Sequence, residues 1–250
     1  MPYGMYIAAE GAQAQSQRLQ TLANNLANVD TVGFKKEFAV IAARPAEAIS
    51  QGLDVPGSRS KNDVGGGVEL ASTPTGFSQG ALKHTGTPTD LAIDGDGFFL
   101  VQNDGQQFLT RAGSFSIDPA GRLVTSEGDV ALSTEQQPIT IDPSLPWRML
   151  DSGVLEQPGS RIEIGLFRPQ SQEGLRKEGH NRFHFDGAVS RVTDGAAKLR
   201  GGYLEMANVS PTLEMMELIE TTRAFEANIQ LIQAQDQTLG ALINRGMRTV

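Results

Sequence analysis

The sequence predicts an α+β chain, with an antiparallel β-rich central region flanked by N- and C-terminal helices that pair as a coiled coil. Three observations carry this. Apolar side chains recur at alternating spacings of three and four after Asn208, and again before Asp30. Between these stretches the pattern changes to short apolar runs separated by Gly, Pro, Asn and Asp, the pattern of strands joined by turns.

In the C-terminal stretch, Ser210 is a good N-cap, and Pro211 sits where a missing N–H has no helical partner to lose. From there Met215, Leu218, Thr222, Phe225, Ile229, Ile232, Asp236, Leu239 and Ile243 form a heptad seam. The helix is expected to run to about Asn244, over roughly 50 Å. Met5, Ala8, Ala12, Gln15, Leu19, Leu22, Leu26 and Val29 form a matching but shorter seam of about 37 Å. The pair should be weak by itself, since alanine and glutamine bury little apolar area where a strong seam has leucine. Both ends, 1–30 and 210–250, are therefore expected to be loosely held in a dilute monomer.

Opposite its seam the long helix reads, after Glu217 and Glu220, Ala224, Ala227, Leu231, Ala234, Thr238 and Ala241. Alanine is the best helix former. A solvated face carries charge, however, so this row also fits a second packing face for neighbouring subunits. The first helix ends in LANNLANVDTVGFKK, Leu22 to Lys36. Asn24, Asn25 and Asn28 are poor helix-interior residues because their amides compete for backbone hydrogen bonds. Amides that donate and accept across a helix contact would account for them, and so would a solvated helix end. Asp30, Thr31 and Gly33 supply the stop.

Residues 43–67 lose periodicity and end in Gly65-Gly66-Gly67, which reads as a connecting segment. Strands are then predicted at Ala81–Lys83, Leu91–Ile93, Gly97–Gln102, Gln107–Arg111, Gly113–Ile117 and Arg122–Thr125. Asn103-Asp104-Gly105 and Asp118-Pro119-Ala120-Gly121 supply turns. A less regular part has strand candidates at Arg161–Phe167, Arg182–Phe185 and Val189–Thr193, separated by prolines. The expected organisation is an N-terminal helix in 1–42, a connecting segment in 43–67, a β-rich domain in 68–135, a variable second β-module in 136–200 and a C-terminal helix in 201–250. A piece from about 40 to 205 is expected to fold without the terminal helices.

A net charge of −8 argues against a nucleic-acid or anionic-membrane surface, which needs clustered Lys and Arg. No apolar run is long enough for membrane insertion. The first residues lack a positive leader and an unbroken apolar segment, so no cleaved signal peptide is expected. Cysteine is absent, which removes disulfide and thiolate chemistry. His180 and His184 stand four apart in a strand-like context, where their side chains lie about 13 Å from each other and cannot share a metal. Asp94-Gly95-Asp96-Gly97 lacks the further oxygen ligands of a calcium loop and reads as a turn. No catalytic, cofactor-binding or metal-ligating residue is expected, and the protein is not expected to be an enzyme.

Four segments in order are similar to the bacterial flagellar rod and hook family: LANNLANVDTVGFKK (22–36), FSQGALKHTGTPTDLAIDGDGFFLV (77–101), FLTRAGSFSIDPAGRLVTSEGDVAL (108–132) and GGYLEMANVSPTLEMMELIETTRAFEANIQLIQAQD (201–236). The resemblance implies a structural axial subunit of the basal-body rod, exported without a cleaved signal through the flagellar type III apparatus and polymerised across the periplasm. Its partners would be other rod proteins and its own copies in a helical rod. Subunit contacts are expected at Leu19, Leu22, Asn24, Asn25, Leu26, Asn28, Val29, Phe34, Leu218, Phe225, Ala227, Ile229, Leu231, Ile232, Ala234 and Leu239. The alternative from another class is a periplasmic or secreted binding module or enzyme using the β-region. It would need an apolar pocket with convergent polar groups, and its aromatic supply is thin, with a single Trp147.

Overall fold

The computed structural model describes residues 3–55, 65–142, 144–150, 152–172, 174–193, 195 and 197–247. They form two compact units, one made of Met1–Ala27, Glu37–Gly76 and Ser210–Val250, the other of Asn28–Lys36 and Phe77–Val209.

The first unit is built on two long helices, Tyr3–Ala27 and Pro211–Met247. They pack antiparallel: Asn25 meets Glu214, Arg18 meets Glu217, Gly11 lies against Asn228 and Gly4 against Gln235. The first helix turns in the face its spacing predicts, with Ala8, Ala12 and Leu22 buried and Met5, Gln15, Leu19 and Leu26 partly so. In the long helix the packing stripe is rotated. Leu218, Phe225, Ile232 and Leu239 remain on it, but Glu214 and Thr221 are its most buried members, while Met215, Asp236 and Ile243 are exposed. The expected apolar seam is therefore shared with a polar row one position earlier.

Two short antiparallel strands, Val40–Ala43 and Val68–Ser72, complete this unit. Gly67, in a left-handed conformation, lets the chain pass the first helix closely: a Cβ there would stand 3.2 Å from that of Glu10. The segment expected to be a plain connector thus begins in a strand and holds a single helical turn, Glu47–Ser50. Its residues 56–64 lie outside the described residues.

The second unit is antiparallel β. Its centre is Phe98–Asn103, from FFLV, in which alternate residues face opposite sides. Phe99 and Val101 join one apolar cluster with Leu91, Ile93, Phe115 and Leu123; Phe98 and Leu100 join another with Leu109, Phe167 and Phe183. Both faces are covered, which is why the run is apolar without alternation. Gln106–Thr110 pairs with it through the predicted turn, and Phe115–Ile117 with Leu123–Thr125 through the next.

The boundary expected at 135/136 falls inside this sheet. Leu166–Pro169 pairs with Phe98–Phe99, and Arg182–Phe185 with Leu109–Thr110. Residues 136–200 therefore supply strands to the same core instead of forming a separate module. The run predicted as one strand from Arg161 to Phe167 divides, with Ser160–Glu163 pairing in a small sheet and Leu166–Pro169 in the large one. Two strands that the spacing did not reveal, Ala197–Gly201 and Tyr203–Glu205, pair with Leu91–Gly95 and Leu82–His84. A piece from 40 to 205 would carry 40–76 from the first unit and lack 28–36, which belongs to the second.

Candidate functional site: the terminal helices and the β-unit clamp

Asn25 is fully buried, and its amide works as a backbone mimic. Its Nδ2 donates to the Glu37 carbonyl at 2.8 Å while its Oδ1 accepts from the Glu37 N–H at 3.0 Å. The same Nδ2 also reaches the carboxylate of Glu214, itself fully buried, at 3.4 Å. One side chain thus fixes the segment after the first helix and the start of the long helix, a use that explains an asparagine at a position poor for helix formation. Asn24 is exposed and Asn28 half-buried, its backbone and side-chain oxygens accepting from Thr31.

The outward face of the long helix mixes large apolar residues with Glu220, Arg223 and Glu226. Leu213, Met216, Ile219 and Leu231 are each more than half exposed, and Ala227 and Ala234 are exposed among them. A helix in contact with one partner usually carries few large apolar residues on this side. Of the residues expected at contacts, Leu22 and Asn25 are buried between the helices; Leu19, Leu26, Leu218, Phe225, Ile229, Ile232 and Leu239 are half-buried; and Ala227, Leu231 and Ala234 face away. Val29 is half-buried in the turn that follows the first helix.

Phe34 is in the β unit, buried, with the Lys177 ammonium 4.1 Å from its ring centroid. Beside it is a group of charges that sequence reasoning missed. Glu205, fully buried, accepts from the Lys35 ammonium at 2.6 Å, from Arg111 at 3.1 Å and from the Gly80 N–H at 3.0 Å. Lys35 also donates to the Ser78 carbonyl at 2.8 Å, and Arg111 to that of Gly95 at 2.9 Å. Burial pushes the Lys35 and Arg111 pKa values below their ordinary range, and the Glu205 carboxylate opposes that shift.

The backbone closes the same clamp. The Gly33 N–H donates to the Glu205 carbonyl at 2.7 Å, and Gly33 has a positive φ with Ala112 so near that a Cβ would fall 2.4 Å from its nitrogen. The side chain of Asn208 accepts from the Lys36 N–H at 2.6 Å and donates to Ser78. The segments GFKK, FSQG, TRAG and YLEMAN, far apart in the chain, thus meet at one place. The only signal in the sequence was charge inside otherwise apolar or glycine-rich stretches.

His180 contacts Glu127, whereas His184 lies beside Glu178 and Asp186. The described residues contain no cluster of His, Cys, Asp and Glu able to hold a metal, and no helix long and apolar enough to cross a membrane.

Three family models match: flagella basal body rod protein over residues 5–35, the flagellar hook protein FlgE/F/G D1 domain over 92–154, and the flagellar basal body rod FlgEFG protein C-terminal region over 200–245. The chain is 35% identical to the flagellar basal-body rod protein FlgF of Caulobacter vibrioides, covering 91% of each chain. It is 34% identical to the flagellar basal-body rod protein FlgG of Borreliella burgdorferi over 98% of each chain. To the FlgG of Bacillus subtilis it is 32% identical over 96% of this chain and 97% of the other.

Proposed function

Because the chain belongs to the flagellar basal-body rod family, a structural and not an enzymatic family, we propose that it is an axial subunit that polymerises through its terminal helices. The observation that carries the mode of assembly is the outward face of the long helix, where Leu213, Met216, Ile219, Ala227, Leu231 and Ala234 are exposed on one side of an element already packed on the other. In the assembled rod the two helices form a coiled coil with each other, and this second face packs on neighbouring copies and on other rod proteins.

Length and the RAFEANIQ helix, Arg223 to Gln230, favour the proximal-rod type, with a distal-rod or hook-type axial protein as the alternative. Export through the flagellar type III apparatus without a cleaved signal, and a place in the rod where it spans the periplasm, belong to the same reading. The type is decided by supplying this chain to cells lacking either FlgF or FlgG. Rescue of motility in the first alone supports the proximal type, and rescue in the second alone rejects it.

Assembly is tested with Ala227→Glu combined with Ala234→Glu. On a solvated face the pair would cost a few tenths of a kcal/mol, since glutamate is nearly as good a helix former as alanine. Against a neighbouring subunit each would bury an unpaired carboxylate at a cost of several kcal/mol, repeated at every copy in a helical polymer. The double variant is expected to be exported and as heat-stable as the parent, yet absent from isolated rods. Normal rods containing it would sink the second face.

A further inference from the structure

The contacts between the two long helices recur with a period of seven on both. Asn25 meets Glu214, Gly11 faces Asn228, and Gly4 faces Gln235. Each step of seven along one helix is answered by seven back along the other; the same spacing sets position 18 opposite buried Thr221, and the Arg18 guanidinium is paired to Glu217 at 3.5 Å. Every rung on the long helix is polar: Glu214, Thr221, Asn228 and Gln235. The partners on the first helix are two glycines at one end and two large polar residues at the other.

We propose that this ladder is a register key, which selects one antiparallel alignment of the two helices and rejects the alignment in which the first helix slides one heptad toward the end of the long helix. The rejection is steric. A Cβ on Gly11 would already stand 3.2 Å from Asn228 Oδ1, and one on Gly4 2.7 Å from Gln235 Nε2. A slip that moved Gly4 from Gln235 to Leu242 would bring Arg18 against Asn228, whose amide stands 3.2 Å from a Cβ placed opposite it and would have to move aside for so large a side chain, and would part Asn25 from Glu214. A seam of leucines offers no such discrimination, because every heptad looks alike to its partner, whereas polar seam residues fix register at a cost in stability. The key acts within a single chain, so it operates whether or not the chain polymerises.

The chain has no cysteine, so register can be read by introducing two. In the full-length protein, Gly4→Cys with Gln235→Cys reports the observed register, and Gly4→Cys with Leu242→Cys the register one heptad away, the second also carrying Gln235→Ala so that neither reporter keeps the side chain a Cβ at position 4 would meet. Each pair is equilibrated in a glutathione redox buffer, and the disulfide yield gives its effective concentration. The observed-register pair is expected to lead by about ten-fold or more. Adding Arg18→Ala with Asn228→Ala, which clears the steric bar, is expected to bring the two pairs to similar yields. Gln230→Gly, which weakens the helix at an exposed position without touching a rung, is expected to preserve the lead. The key is refuted if the parent shows no lead, if the double alanine variant keeps it, or if Gln230→Gly removes it to the same extent.

Discussion

The β unit and the helix pair both bury charge, and they do so in opposite ways. In the β unit Glu205 has two cations and a backbone N–H on its carboxylate, and the cations are further held by the carbonyls of Ser78 and Gly95. Around this group lie phenylalanines and branched aliphatics with almost no exposure. In the helix pair the buried positions are mostly Ala8, Ala12, Ala14, Asn25, Glu214 and Thr221. Among the described residues both units bury side-chain atoms without a hydrogen-bond partner, the carbonyls of Gln15 and Gln235 in the helix pair and the Nε of Arg111 and Arg182 in the β unit. A buried polar group left unsatisfied costs stability in either unit; what differs is that the alanines of the helix pair recover little by burial. The β unit therefore has a large apolar core of its own, and the helix pair a small one.

This contrast can be broken from either side, because each region has its own probe: the single Trp147 lies in the β unit, and both long helices lie in the other. The largest effect is expected from Glu205→Ala, which strands two buried cations and should destabilise the β unit by about 3–5 kcal/mol. Tryptophan fluorescence should report a lower melting temperature while the helical circular dichroism transition moves little. Equal shifts in both signals would mean that the two regions unfold as one.

Asn25→Ala should cost about 1–3 kcal/mol, the price of leaving the Glu37 backbone groups and Glu214 without their amide. Here the helical signal should move and the tryptophan signal should not. Should both stay put, the amide would be dispensable and the asparagine a solvated helix-end residue.

The smallest effect is one of pH. Lys35 has a folded-state pKa below 10.5 because of burial. Between that lowered value and 10.5 the unfolded chain binds the proton and the folded one does not, so this group makes stability rise with pH across the window. Relative to Lys35→Met, which has no such proton, the parent should gain stability in the β unit on going from neutral pH towards 10. Parallel tryptophan melts of the two proteins that track each other at every pH would show that Lys35 keeps its proton throughout.

Much of the fold was legible because periodicity is a local property. Both terminal helices, the FFLV strand and the turn at Asn103-Asp104-Gly105 follow from spacing and turn chemistry within a few residues. The rotation of the long helix was not legible. Met215 and Glu214 are neighbours, and by hydrophobicity the methionine belongs inside; Glu214 is inside because Asn25, distant in the chain, offers it an amide. The second β-module dissolved for a similar reason, since the strand spacing of residues 136–200 does not say which sheet they join.

By itself, then, the sequence determined that helices flank a β-region, which residues could form each seam, and through four ordered motifs the flagellar rod family. Only the tertiary structure decided which polar residues those seams admit and why the motifs contain them. Lys35 and Glu205 stand 170 positions apart, and neither shows in its own surroundings that it will be buried. A charge is tolerated in a core only where its counter-charge arrives, and that arrival is a property of the folded chain.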